Sequence, residues 1–205
     1  MTVRSYFIQY RFILPETIKH SSYTYQKLFR GIYGYTQAVY KASGKTYHYH
    51  RAGILSNYPY VRPGKNCVII PQAAFQTLQE FFKTGRNPTH NWTEKGEWKC
   101  TYFLNEKDID EKEVILALEN LLSRKFVDSS EGPIKLSSEL KRATEKEVEA
   151  NYKAMLVKEA QAIVDLEWFK ATYQQAPSLL EFYNLFKTLK AGVSSQPNQQ
   201  NSPKA

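Results

Sequence analysis

An α+β fold is predicted by three features of the sequence. Runs of alternating apolar residues are interspersed with segments of helical period, Gly and Pro mark the turns between them, and the chain becomes purely helical after Gly132-Pro133. The expected architecture is an antiparallel or mixed sheet with helices on one face, followed by a C-terminal αα-hairpin and a disordered tail. Residues 1–126 are expected to form a basic, Tyr-rich α+β domain, 127–137 a linker, 138–192 the helical hairpin and 193–205 the tail.

Val3 to Leu14 is rich in aromatic and β-branched residues and stops at Pro15, which predicts a long first strand. Arg4, Tyr6, Ile8, Tyr10, Phe12 and Leu14 share one face; Ser5, Phe7, Gln9, Arg11 and Ile13 share the other. Both faces mix apolar and polar groups, so burial on both sides is not expected. Ser22 is an N-cap for a short helix through Tyr25, Leu28, Phe29 and Ile32, with Lys27 and Arg30 outward and Gly31 and Gly34 at its end. Tyr35 to Ala42 and Lys45 to Arg51 read as strands joined by Ser43-Gly44, a two-residue hairpin connection. A loop through Tyr58-Pro59-Tyr60-Val61-Arg62-Pro63-Gly64-Lys65 leads to a short apolar strand from Asn66 to Ile70. Pro71 opens a helix with Ala74, Phe75, Leu78, Phe81 and Phe82 on one stripe, closed by Gly85.

Glu97 to Leu104 alternates as a strand, and Asp110 with Glu113 forms a capping box for a helix carrying Val114, Leu118, Leu121 and Leu122. The order β-α-β-β-β-α-β-α suits a ferredoxin-like variant. Beyond the linker, Thr144 and Glu147 suggest a second capping box, opening one helix of about 30 residues to Gln175. Pro177-Ser178 then starts a helix with Leu179, Phe182, Tyr183, Phe186 and Leu189 in a stripe. The tail from Val193 has almost no apolar content.

Charge is divided unevenly along the chain. Residues 1–105 hold 14 Lys/Arg against 4 acids, and residues 106–205 hold 14 against 16, so the net +8 arises entirely in the first half. That half also holds 12 of the 15 tyrosines. Cations without compensating carboxylates attract polyanions, and aromatic rings among them can stack on unpaired bases. The expectation is a nucleic-acid-binding accessory protein, RNA preferred over DNA because tyrosines and irregular basic loops fit unpaired bases better than a recognition helix would. Candidate contacts are Lys27, Arg30, Lys41, Lys45, Arg51, Arg62, Lys65, Lys83, Arg86, Trp92, Lys95 and Lys99. Trp98, in a strand, is instead expected to anchor its loop to the core. The second expectation is a structural subunit that docks a protein partner through the C-terminal helices.

No apolar run is long enough to span a membrane, no secretory h-region is visible, and Cys67 and Cys100 form no C-x-x-C pair. A reducing cytoplasm is the expected location, without a membrane partner or cofactor. Arg62-Pro63-Gly64-Lys65 does not match a P-loop, and no Ser/His/Asp or Cys/His set stands out, so a binding role is favoured over catalysis.

Two short patterns bear on catalysis. His48-Tyr49-His50 places two imidazoles on one strand face with Cα atoms ~7 Å apart, within reach of one metal ion. This resembles the His-hydrophobic-His motif of the HUH single-strand endonucleases. The resemblance implies metal-dependent cleavage with a catalytic tyrosine on a helix, for which the downstream candidates are Tyr152 and Tyr102. Glu97-Trp98-Lys99 is similar to the E-x-K half of the PD-(D/E)xK nucleases. That chemistry needs convergent carboxylates, but no Asp precedes Asp108 and the only acids upstream of Glu97 are Glu16, Glu80 and Glu94.

Overall fold

The computed structural model describes residues 2–19, 21–41, 44–86, 98–129 and 132–194. It comprises two compact units, Met1–Leu121 and Leu122–Ala205. In the first, β1 (Thr2–Ile13) is followed by α1 (Tyr23–Tyr33), β2 (Tyr35–Tyr40), β3 (Thr46–Arg51), β4 (Val61–Gly64), β5 (Cys67–Ile70), α2 (Phe75–Thr84) and β6 (Lys99–Asp110). Helix α3 (Glu111–Arg124) then carries the chain into the second unit.

Four strands form an antiparallel sheet in the order β4-β5-β1-β6. With α1 after β1 and α2 after β5, this is the connectivity of a split βαβ, ferredoxin-like sandwich, with the β2–β3 hairpin inserted between α1 and β4. Strand β1 is central. It pairs with β6 over its whole length, from Thr2↔Asp110 to Ile13↔Lys99, but with β5 only from Tyr6↔Ile70 to Gln9↔Cys67.

Alternation along β1 divides the sheet. Ile8, Tyr10 and Phe12 are buried on the inner face, where they meet Tyr25, Leu28 and Ile32 of α1 and Leu78, Phe81 and Phe82 of α2. Burying each such side chain contributes about 1.5–3 kcal/mol. The rings meet edge to face: Phe12 lies 5.6 Å from Phe29 and 5.4 Å from Trp98. Trp98 is therefore a core residue, as expected from its strand context.

Caps end these helices where the sequence places them. Ser22 Oγ accepts from the Tyr25 amide at 3.3 Å, and Gly34 closes α1 at φ 74°, its N–H donating to Arg30 O. Gly34 also lies against the chain returning from the hairpin, where Ile54 and Leu55 amides donate to Gly31 and Ile32 carbonyls, both at 2.9 Å. A Cβ on Gly53 would strike Gly34 N and lie 2.6 Å from Ile32 O.

Two elements of the first unit depart from the sequence reading. Strand β4 forms where a loop was expected; Pro63 is tolerated because β4 is an edge strand that needs no outer hydrogen bond. Strand β6 continues through Asn105–Asp110, whose polar side chains stay exposed while the backbone pairs with Thr2–Phe7. In the β2–β3 hairpin the Lys41 amide donates to Lys45 O and Gly44 takes φ 75°; Ala42 and Ser43 of the expected turn lie outside the described residues.

In the second unit, residues 127–137, read as a linker, carry most of a hairpin of β7 (Phe126–Ser129) and β8 (Gly132–Lys135) and the start of α4 (Leu136–Glu145). The single long helix expected from Thr144 to Gln175 is replaced by α5 (Ala150–Val164) and α6 (Glu167–Thr172), preceded by α4 and followed by α7 (Pro177–Ser194). Thr144 does not cap a helix start: it lies in the last turn of α4, its hydroxyl donating to Lys141 O at 2.7 Å. The break after α5 comes at Leu166, extended at φ −61° and ψ 137°, which lets Leu166, Trp168 and Phe169 all be buried.

The stripes of α4, α5 and α7 bury Leu140, Leu156, Ile163, Leu179, Phe182 and Phe186. Glu139, 2% exposed, is held by Arg142 (Nη2–Oε2 2.6 Å) and by the Tyr152 hydroxyl, which donates at 2.9 Å. The Arg142 hydrogen bond holds the Glu139 carboxyl below its ordinary pKa. Residues 195–205, most of the expected tail, lie outside the described residues.

Replacing Gly53 by Ala is expected to cost about 2–4 kcal/mol, because backbone rather than a movable side chain occupies the space. Gly64→Ala, with nothing within 4 Å of the new methyl, should stay within about 0.5 kcal/mol of the parent in urea denaturation.

Candidate nucleic-acid interface

The predicted contact residues fall into groups. On the helix-covered side, α1 and the strand after it interleave cations with tyrosines. Lys27 Nζ lies 4.7 Å from the Tyr23 ring centroid, and the Arg30 guanidinium lies 5.5 Å from Tyr23 and 4.8 Å from Tyr35. Arg62, on β4, stacks 4.3 Å over Tyr33, whose ring packs 5.1 Å from Tyr60. Such contacts order a long side chain while leaving donors turned to solvent.

Tyr33 shares a 2.9 Å hydrogen bond with the Tyr10 hydroxyl. Burial raises both phenol pKa values, while the nearby Arg62 charge opposes the rise. These tyrosines support the arginine from the core, whereas Tyr23 at 56% and Tyr40 at 80% exposure are open to a partner.

The hairpin carries Lys41 and Lys45 at its closing turn and Arg51, opposite Tyr35, at its base, all exposed. Of the two histidines between them, His50 is exposed and the side chain of His48 lies outside the described residues. Among the described residues no group of three or more His, Cys, Asp or Glu side chains comes together as a metal site. The tyrosines that the endonuclease resemblance implies are engaged elsewhere: Tyr102, on β6, accepts from Gln79 at 2.7 Å, and Tyr152 donates to Glu139. Lys83 and Arg86 sit at the end of α2, with Lys83 donating to Gln79. Trp92 and Lys95 lie outside the described residues.

The remaining two, Lys65 and Lys99, belong to the opposite, outer side of the sheet. Here the structure reveals side chains that the sequence reading did not select. Cross-strand register places Gln9 opposite Phe103, Arg11 opposite Thr101 and Ile13 opposite Lys99 on the outer face. All six are exposed, Phe103 at 62% and Ile13 at 47%. Toward the other end of the same face the residues are closed off, with Ser5, Ile69 and Ile109 buried.

Because β5 stops at Cys67, the edge of β1 beyond Gln9 borders the Lys65-Asn66 turn instead of a strand. Asn66 takes φ 59° there, and its carbonyl accepts from the Tyr10 amide at 2.9 Å. The result is an open concavity of about 530 Å³ whose lining includes Gln9, Arg11, Lys65, Asn66, Thr101 and Phe103. The ion pair of Arg4 with Glu106 on the β1–β6 ladder lies toward the other end and on the opposite face. Among the described residues Arg11, Lys65 and Lys99 have no carboxylate partner.

The predicted cations are thus brought together in part. Lys27, Arg30, Arg62 and Arg51 cluster around the tyrosines of α1 and β2, while Lys65 and Lys99 join Arg11 and Phe103 across the sheet. Alternation alone assigned Arg11 and Phe103 to a face but carried no signal for which face the helices would leave open. No protein-family model, curated protein or solved structure matches this chain. Among the described residues no helix is long and apolar enough to cross a membrane.

The buried tyrosine pair has a pH signature. A phenol whose folded pKa is raised stabilises the fold fully below the unfolded tyrosine value, about 10, and loses that stabilisation as pH climbs past it. Unfolding free energy is expected to fall between pH 9 and pH 11, with pH values set by that reference, and Tyr10→Phe should fall less steeply in parallel urea titrations.

Proposed function

We propose that the protein binds nucleic acid through its first unit as an accessory protein, favouring RNA over DNA. The observation that carries this reading is that residues 17–79 contain eight Lys/Arg and not one Asp or Glu. This stretch supplies α1, the hairpin, β4 and β5, so its field meets no local carboxylate across much of the unit. Lys27, Arg30 and Arg62, ordered over tyrosine rings, support it further, since guanidinium groups so held keep their outer N–H groups for phosphate oxygens. Exposed Tyr23, Tyr40 and Phe103 favour unpaired over paired bases, and RNA offers unpaired bases in loops and single strands. The docking alternative gains no specific support, as the apolar stripes of α4, α5 and α7 are buried within their own unit.

Fluorescence anisotropy with labelled single-stranded RNA, single-stranded DNA and duplexes of equal length tests the proposal. RNA single strands are expected to bind most tightly, with log affinity falling linearly against log salt at a slope of about −0.7 per phosphate neutralised. Arg30→Ala should make that slope shallower by about one such step. Absence of binding to every probe at low salt would overturn the reading.

A further inference from the structure

Resting on the nucleic-acid reading, we infer that unpaired bases stack on the open outer face of the sheet, at Phe103, with Arg11, Lys65 and Lys99 holding the backbone of the same strand. The cations of α1, on the helix-covered side of the sheet, then meet phosphates of the bound strand rather than its bases.

Phe103 is what sets this face apart. A phenylalanine 62% exposed in the middle of a twelve-residue strand leaves much of its apolar area in water. Its neighbours are hydrogen-bonding groups. Gln9 lies directly opposite, Arg11 is its diagonal neighbour, ~7–8 Å away between Cα atoms, and Thr101 is next on its own strand face. Together they surround an exposed ring carried on a fully paired strand, a support suited to base stacking.

The backbone adds to this. Since the Tyr10 amide points across to Asn66 O, the amide two residues on, at Phe12, points the same way, toward the edge left by the end of β5. The side-chain Oδ1 of Asn66 is buried there with no hydrogen-bond partner. An unpaired base entering beside Phe103 would meet donors and acceptors on the concavity wall, and its phosphates would meet three cations unopposed by carboxylates among the described residues. A duplex offers no free base face to such a ring, so the charge complementarity and the platform together select single strands. Stacking is sequence-tolerant because every base has a π-face, and little base preference is expected.

The test uses the full chain and fluorescein-labelled oligouridylate beside an RNA duplex of equal length. Phe103→Ala is expected to weaken oligouridylate binding about 5- to 100-fold and duplex binding less than about twofold, while Phe103→Trp retains affinity. In Phe103→Trp, added oligouridylate should quench the new indole emission. Because position 103 is exposed, thermal melts of both variants should match the parent. If Phe103→Ala binds oligouridylate within twofold of the parent while Arg30→Ala binds it more weakly, the sheet-face platform is overturned and the broader reading stands. If the parent binds neither probe, both fail.

Discussion

Strand β1 is hydrogen-bonded along both edges, to β5 and β6, and everything else in the first unit is arranged around what that requires. Every second side chain, Ile8, Tyr10 and Phe12, faces α1 and α2 and forms the aromatic core. The alternate residues Gln9, Arg11 and Ile13 cannot share that core, because strand period sends them to the other side. A one-residue slip of register would exchange the two sets, burying an arginine and exposing a phenylalanine. The paired β6 therefore fixes not only the sheet but also which groups the protein shows to its surroundings. The hairpin insertion is tied into the same frame by the close approach of Gly34 and Gly53, where the returning chain bonds to the end of α1.

Much of this was readable from local chemistry. Ser22 and Gly34 bracket α1, Pro71 and Gly85 bracket the segment containing α2, and the β1 pattern with its stop at Pro15 marks the first strand, because caps and turns depend on nearby residues alone. What escaped depends on partners distant in sequence. Pro63-Gly64 reads as a loop until β5 is known to lie beside it, and Asn105–Asp110 has no strand signal of its own, being held by the opposite half of β1. The break between α5 and α6 contains neither Gly nor Pro; burying Leu166 with Trp168 and Phe169 bends the chain there.

The candidate site divides in the same way. Composition located the cations in the first unit, and helical spacing set Lys27 and Arg30 on the outward side of α1; their place beside Tyr23 and Tyr35 came only with the structure. Spacing could not separate these cations from Lys65 and Lys99, which lie with Arg11 and Phe103, nor select Arg11 and Phe103, whose end of the outer face is open while Ser5, Ile69 and Ile109 are buried at the other end. Aromatic residues accordingly take two parts. Tyr10, Tyr33, Phe12 and Trp98 build and support the fold, whereas Tyr23, Tyr40 and Phe103 are left outside it.

The central claim is that nucleic acid contacts the first unit. Photocrosslinking of single-stranded RNA containing 4-thiouridine to the full chain, with the adducts mapped by peptide mass spectrometry, tests it most directly. The account predicts adducts on peptides spanning β1 and β6 around Arg11 and Phe103, with weaker adducts on α1. Adducts confined to residues 122–194, in the second unit, would contradict it.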